Sequence, residues 1–250
     1  MARAAVLGRL TWQSGTVTAI REETATARTI TVELPGWPGH LAGQHVDVRL
    51  TAPDGYTAQR SYSIASAPGG SRVDLTVQRL PDGEVSSYLA EVLEVGYPLE
   101  LRGPVGGWFV WQPGAGAGPV LLVAGGSGIV PLMAMIRARG AAGSSIPFRL
   151  IYSVRDPRSV IYGSELASPG PGVEVRYVYT RTPPPGAGAA AGRISEAVLD
   201  EAGWPPAATP AVFACGPTGF VETAADLLVK MGHQPGKIKT ERFGPSGGQS

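Results

Sequence analysis

Val120-Leu121-Leu122-Val123-Ala124 runs without a break into Gly125-Gly126-Ser127-Gly128-Ile129-Val130-Pro131. An unbroken apolar run of this kind suits a strand buried on both faces of a parallel sheet. The glycines after it let backbone approach a ligand, and a helix opening there offers free N–H groups to a diphosphate. Pro131 can sit at the first position of that helix. Leu132, Met135 and Ile136 then share a face, Arg137 and Arg139 lie near the C-terminus, and Gly140 closes it. The full dinucleotide fingerprint is not present, because Pro131 stands where a third glycine is expected. An ordinary tight strand-to-helix turn would use the same residues.

Moving outward, Phe148–Val154, Val173–Tyr179 and Ala211–Cys215 are further apolar runs of the buried parallel type. Phe220, Ala224, Leu227, Leu228 and Met231 form a helical stripe opened by Pro217 and ended by Gly232. Strand–helix alternation predicts a doubly wound parallel-sheet α/β domain. Ala214-Cys215-Gly216-Pro217-Thr218 repeats the strand–glycine–helix arrangement. In such sheets ligands lie beyond the carboxyl ends of the strands, so both turns should face one crevice. Cys215 equally suits a small buried apolar site. Pro183–Gly192 is low in complexity and reads as a flexible surface loop.

The first hundred residues have a different period. Thr16–Ile20, Thr29–Leu34, His45–Leu50, Ser61–Ala65, Val73–Val77 and Tyr97–Leu101 are short strand-like runs between Gly/Pro/Asp turns. They predict a small antiparallel barrel, interrupted by one helix carrying Leu89, Val92 and Leu93, with Ser86 as its cap and Gly96 as its terminator. The boundary is expected in the Gly/Ala/Pro run from Pro113 to Pro119, giving domains 1–113 and 114–250.

Composition narrows the function. Hydrophobic residues make up 43% and charged residues 16%, with a formal charge of +1, so there is no basic footprint for nucleic acid and no acidic tail. One Cys allows neither an internal disulfide nor a four-thiolate iron–sulfur site, and His40, His45 and His233 have no metal-ligand spacing. No charged residue lies between Arg102 and Arg137, yet prolines and glycines break that stretch too densely for a membrane span. With no signal-peptide core near Arg3 and Arg9, the expected location is the cytoplasm.

Two barrel segments carry chemistry. Strand alternation in Arg60-Ser61-Tyr62-Ser63 points Arg60 and Tyr62 to one face and the serines to the other. A cation, an aromatic plate and a hydroxyl so close suit a phosphate, a planar ring and a ring nitrogen, or a plain barrel strand with a solvated arginine. Gly83-Glu84-Val85-Ser86-Ser87-Tyr88 places N–H groups and hydroxyls at a helix start, as an anion site or a simple cap.

These segments, with Gly103-Pro104-Val105-Gly106-Gly107, Gly125 to Pro131, Cys215-Gly216-Pro217 and Glu241-Arg242-Phe243, occur in the order of the ferredoxin–NADP reductase superfamily. The sequence resembles its bacterial FAD-binding oxidoreductases, the electron-transfer components of oxygenase or ferredoxin systems. It departs in having Trp108-Phe109 after an extra glycine, where the family often has a single aromatic. It also lacks the iron–sulfur domain fused to some relatives, which its single Cys could not ligate.

The resemblance implies an NAD(P)H-dependent flavoprotein reductase. Arg60 would pair with the FAD pyrophosphate, Tyr62 would stack on the isoalloxazine, and Ser63 would hydrogen-bond near flavin N5. Val85, Ser86 and Ser87 would hold the pyrophosphate at the helix start. Gly125, Gly126, Ser127 and Gly128 would line the nicotinamide nucleotide's diphosphate site. Cys215, followed by Gly216 and Pro217, would sit beside the nicotinamide. Phe243 would cover the flavin, with Glu241 as a polar or proton-handling neighbour. The charge-free stretch would then lie at the domain junction, where water must be kept from two flat rings.

NADP-using relatives place a Ser, an Arg and a Tyr around the adenosine 2′-phosphate, which implies Ser153, Arg155, Arg158 and Tyr162 here. Two arginines favour NADPH, while Asp156 is the carboxylate that would suit NADH. The electron acceptor would be a separate ferredoxin or oxygenase component, or a free flavin or ferric chelate. The alternative is a non-catalytic flavin- or nucleotide-binding accessory or sensing subunit.

Overall fold

The computed structural model describes residues 10–114, 118–186 and 190–244. Strands β1 (Trp12–Thr24), β2 (Ala27–Glu33), β3 (His45–Thr51), β4 (Thr57–Ser63), β5 (Arg72–Gln78) and β6 (Pro98–Val105) form one antiparallel sheet in the order β4-β3-β6-β1-β2-β5. A bridge between Ile64 and Leu75 joins the end of β4 to β5 and curls the sheet into the expected barrel. Alternate residues Ile30 and Val32, Val46 and Val48, Val73 and Leu75, and Leu99 and Leu101 fill its interior.

Across the barrel runs α1 (Glu84–Ser87), which continues as a π-helical turn over Tyr88–Val92. The cap is Gly83, one turn before the expected Ser86. Ser86 sits inside the helix, where its Oγ accepts from the Leu80 N–H at 3.2 Å and donates to the Gly83 carbonyl at 3.0 Å. Buried Arg28 satisfies the carbonyls at the far end, donating to Leu89 at 2.6 Å and Leu93 at 2.9 Å.

The second sheet is parallel, with order β11-β10-β7-β8-β9, from β7 (Val120–Gly125), β8 (Phe148–Val154), β9 (Val173–Tyr179), β10 (Ala211–Pro217) and β11 (Ile238–Phe243). Helices α2 (Ile129–Ala141), α3 (Gly163–Leu166), α4 (Glu196–Ala202) and α5 (Thr218–Lys230) complete the doubly wound half. Gly126–Gly128 first makes a 3₁₀ turn, so Pro131 falls third in α2 rather than first. The helix passes through Gly140 and reverses at Gly143, whose φ is +59°. Neither α4 nor β11 was expected. Of the glycine-rich runs, residues 115–117 and 187–189 lie outside the described residues.

Every residue of α2 from Ile129 to Ile136 is buried, because one face meets the sheet and the other faces the barrel. Barrel residues Ala27, Ala42 and Ala65 belong to the same apolar cluster as Leu132, Met135 and Phe148. The halves therefore share a core. Among the described residues, no helix is long and apolar enough to cross a membrane.

Candidate active site at the junction of barrel and sheet

The carboxyl ends of β7 and β10 are adjacent, with Cys215 in register opposite Ala124. A Cβ on Gly128 would fall onto the Cys215 carbonyl oxygen, and one on Gly216 would lie 3.1 Å from backbone atoms of Gly125. Both glycine turns thus meet at one crevice. Gly126 differs: its φ is +55°, and none of the described residues stands within 4 Å of where a Cβ would be, so they leave open space above the turn. Ser127 is half-buried beside it. Pro217 is exposed at the end of β10.

On the barrel side, Arg60 is exposed and has no carboxylate partner among the described residues. Its guanidinium donates only to the neighbouring Gln59 carbonyl, at 2.7 Å. Tyr62 is half-buried, and burial raises its phenol to about 12, so it stays neutral. Ser61 points the other way and donates to Asp47 at 2.7 Å, in keeping with alternation. Val85 is in the barrel core and the Ser86 hydroxyl is spent on its own turn, so both would meet an anion through backbone N–H groups. The Ser87 hydroxyl reaches the Leu80 carbonyl at 3.5 Å.

His45, assigned no role in the sequence, joins the two sides. It is the register partner of Ser63. Its Nδ1 lies 3.7 Å from Glu241 Oε1, and Glu241 is the register partner of Cys215. Burial raises the Glu241 carboxyl to about 7 and lowers His45 from its ordinary 6.5. Near neutrality the pair is a neutral imidazole facing a carboxyl that is half protonated. Glu241 Oε2 is buried with no hydrogen-bond partner among the described residues. Burial, then the neighbouring Glu241, push the Cys215 thiol well up, so Cys215 is a neutral packing group. Ser63, Cys215 and Glu241 are therefore brought together through a histidine whose only sequence signal is its place in strand β3.

Lys239 lies two residues before Glu241 on β11 and donates to the Val110 carbonyl at 3.2 Å. The unusual aromatic pair divides its work. Phe109 is buried edge-on to Phe213 with centroids 5.5 Å apart, while Trp108 faces outward with the Lys239 ammonium 5.5 Å from its ring. Phe243, opposite Pro217, is 37% exposed at the end of β11.

Toward β8 and β9, Ser153 is buried opposite Gly125, and Arg155 and Arg158 are exposed. The Asp156 carboxylate caps its own turn, accepting from both the N–H and hydroxyl of Ser159 at 3.1 Å. It is not a free carboxylate. Arg181, missed in the sequence, lies beside Arg155, whose carbonyl accepts the Arg181 N–H at 3.0 Å. Tyr162 does not fit the expected role. It is 2% exposed, and its hydroxyl donates to Thr76 of the barrel, so it has no surface for a nucleotide phosphate.

A barrel with an unpaired arginine and a half-buried aromatic, joined to a parallel sheet whose glycine turns open on an orphaned carboxylate, has the donor set of a flavin and nicotinamide-nucleotide protein. Comparison with known proteins agrees. Residues 14–110 match the oxidoreductase FAD-binding domain and residues 122–226 the oxidoreductase NAD-binding domain. The chain is 31% identical, over 93% of its own length and 69% of the relative's, to a Ralstonia ferredoxin–NAD(P)(+) reductase component of naphthalene 1,2-dioxygenase/salicylate 5-hydroxylase systems. To the glycine betaine monooxygenase reductase subunit of Chromohalobacter salexigens it is 34% identical over 81% of its length, spanning only 55% of that protein. The fold matches the FAD/NAD-binding domain of Vibrio cholerae nitric oxide dioxygenase with a TM-score of 0.82 at 22% identity, covering 93% of this chain and 99% of that one.

The chain belongs to the ferredoxin–NAD(P) reductase family of FAD-dependent oxidoreductases. These relatives carry reductase names, and nothing in them supports a non-catalytic accessory subunit.

Proposed function

We propose that the protein takes a hydride from NADPH on its FAD and hands the electrons to a separate ferredoxin or oxygenase component in the cytoplasm. The observation that carries this reading is the His45–Glu241 contact. It sets the carboxyl ends of β7 and β10 against the barrel strands bearing Arg60, Tyr62 and Ser63. Bound FAD would supply a carrier able to take the two electrons of a hydride and release them singly.

The protein's own residues do the holding and aligning. Arg60, with the N–H groups of Val85, Ser86 and Ser87, binds the flavin pyrophosphate, and Tyr62 and Phe243 flank the ring. Gly125 to Gly128 cradle the nucleotide diphosphate, and Cys215, Gly216 and Pro217 shape the nicotinamide side. Ser63 orients the flavin edge, while Glu241, its carboxyl raised to about 7 by burial, holds a proton beside His45. The barrel unit ends at Pro113 and the nucleotide unit begins at 114.

The NADPH preference rests on Arg155, Arg158 and Arg181, none of them in an ion pair among the described residues, and on Asp156 being engaged in its own turn. Anaerobic addition of NADPH to the yellow protein should bleach it within the dead time or the first seconds of a stopped-flow trace. Ferredoxin or cytochrome should then restore the colour. Reduction no faster than free flavin would overturn the assignment. For the nucleotide, kcat/KM should favour NADPH over NADH, and Arg155→Ala or Arg181→Ala should shrink the ratio. A wild type favouring NADH would remove the phosphate site.

A further inference from the structure

Tyr162 is where the nucleotide half plugs into the barrel. Its φ is +61°, a left-handed conformation that a bulky residue holds only when its surroundings impose it. The surroundings are a hydrogen-bond circuit. Thr29 donates to Glu23 Oε1 at 2.6 Å, which spends its one proton. Thr76, 2.8 Å from Thr29, must then donate to Thr29, and Tyr162 must donate to Thr76. The other carboxylate oxygen, Glu23 Oε2, accepts the N–H of Tyr162 itself at 3.3 Å. From the tip of Tyr162 donation passes through Thr76 on β5 and Thr29 on β2 to the Glu23 carboxylate on β1, where the donation from the Tyr162 backbone also ends and closes the ring.

Neighbouring contacts cross the same seam. Arg137 of α2 lies 4.7 Å over the Tyr162 ring, grips Glu165 at 2.9 and 2.6 Å, and donates to the barrel's Ala65 carbonyl at 2.8 Å. Thr29, Thr76 and Tyr162 are all buried, so water cannot replace a lost partner cheaply.

We propose that this closed circuit is the latch that fixes the angle between the two halves, and that Tyr162 is a positioning residue for the hydride step. The part concerning the hydride rests on the function proposed above, which puts one reacting ring in each half. Tyr162 touches neither ring. It acts through alignment, where an error of about 1 Å can cost a hundredfold in rate.

The test uses the FAD-loaded full chain with Tyr162→Phe, Thr76→Val, both together, and Thr76→Ser. Three quantities are read: the flavin reduction rate at saturating NADPH, retention of FAD and nucleotide, and backbone hydrogen exchange. Tyr162→Phe and Thr76→Val should each slow reduction about tenfold, with little further loss when combined, and Thr76→Ser should recover most of the rate. FAD and nucleotide affinities should stay within about twofold. Exchange should quicken in 72–78 and 160–167 together, but not in Val120–Gly125. Unchanged rates with unchanged exchange would overturn the latch, as would a rate loss that merely tracks FAD loss. If NADPH does not reduce the wild type, the functional reading falls with its rate arm, and the exchange pattern alone upholds or overturns the latch.

Discussion

Arg60 stands exposed on β4 and, among the described residues, donates only to a backbone carbonyl, so its charge is available to a ligand at little cost. Arg60→Ala should weaken FAD binding by about 1.5–3 kcal/mol, the range for a hydrogen bond to a charged group. Flavin release measured by fluorescence checks this, and wild-type retention would take Arg60 out of the site. Glu241 makes a pH prediction. The folded protein holds its proton up to about pH 7, whereas the ordinary carboxyl value is 4.5. Between these values the folded state binds more protons, so this group's stabilisation is full below pH 4.5 and is lost as pH rises through about 7. The difference is on the order of 3 kcal/mol. Glu241→Gln should therefore gain melting temperature relative to wild type between pH 5 and 8, and a constant gap would mean that the carboxyl does not titrate there. At this scale the sequence was informative wherever chemistry is local. The place of Arg60 on its strand and of the glycine turns at their strand ends is legible from their own neighbours. His45 and Tyr162 were not, because a histidine on a strand and a tyrosine in a loop acquire meaning only from the half of the chain that packs on them.

Two glycines in the turn between β7 and α2 are needed for opposite reasons. Gly128→Ala would drive a methyl into the backbone at Cys215, and overpacking of this sort typically costs about 1–3 kcal/mol. Gly126→Ala meets no atom of the described residues, and costs about 1–2 kcal/mol for its left-handed backbone alone. The first variant should lower the melting temperature by more. The second should chiefly raise the KM for the nucleotide, since its methyl projects into the open space. Equal effects on both readouts would show that the turn has no free side. The strands around this turn were legible because long apolar runs admit few alternatives. β11 escaped notice because Ile238-Lys239-Thr240-Glu241-Arg242-Phe243 carries three charges within an edge strand. α4 escaped because it is only seven residues long and follows a Gly/Ala/Pro run, although its Ser195 cap, accepting from the Val198 N–H, was a usable signal. The π-helical turn depends on Arg28, far away in sequence, and has no local signature.

The halves share one apolar cluster, so the whole chain should melt as a unit in spite of its two architectures. Calorimetry should give one transition, raised by FAD by about 2.7 kcal/mol at a hundredfold excess over its Kd. Two separated transitions, only one of them flavin-sensitive, would mean that the shared cluster is too weak to couple the halves. The two-part plan was readable from the change of hydrophobic period, but the fusion of the cores was not, because Ala27, Ala42 and Ala65 look like filler until α2 is laid against them. Glu241 carries a consequence for the energetics of loading. On the proposed function a nucleotide brings several negative charges toward a carboxyl poised near pH 7, which has His45 3.7 Å away and Cys215 opposite it in register. Added negative charge tightens that carboxyl's hold on hydrogen ions, and by reciprocity acidity tightens the hold on the nucleotide. Loading at pH 7.5 should thus withdraw a fraction of a hydrogen ion from the medium, whereas loading at pH 5.5 withdraws none through this group. Titration calorimetry at pH 7.5 with NADH, which has no 2′-phosphate to titrate, would then report different heats in phosphate and in Tris for the same event, and equal heats would overturn the coupling. The strength with which the reductant docks becomes a reading of the acidity around it.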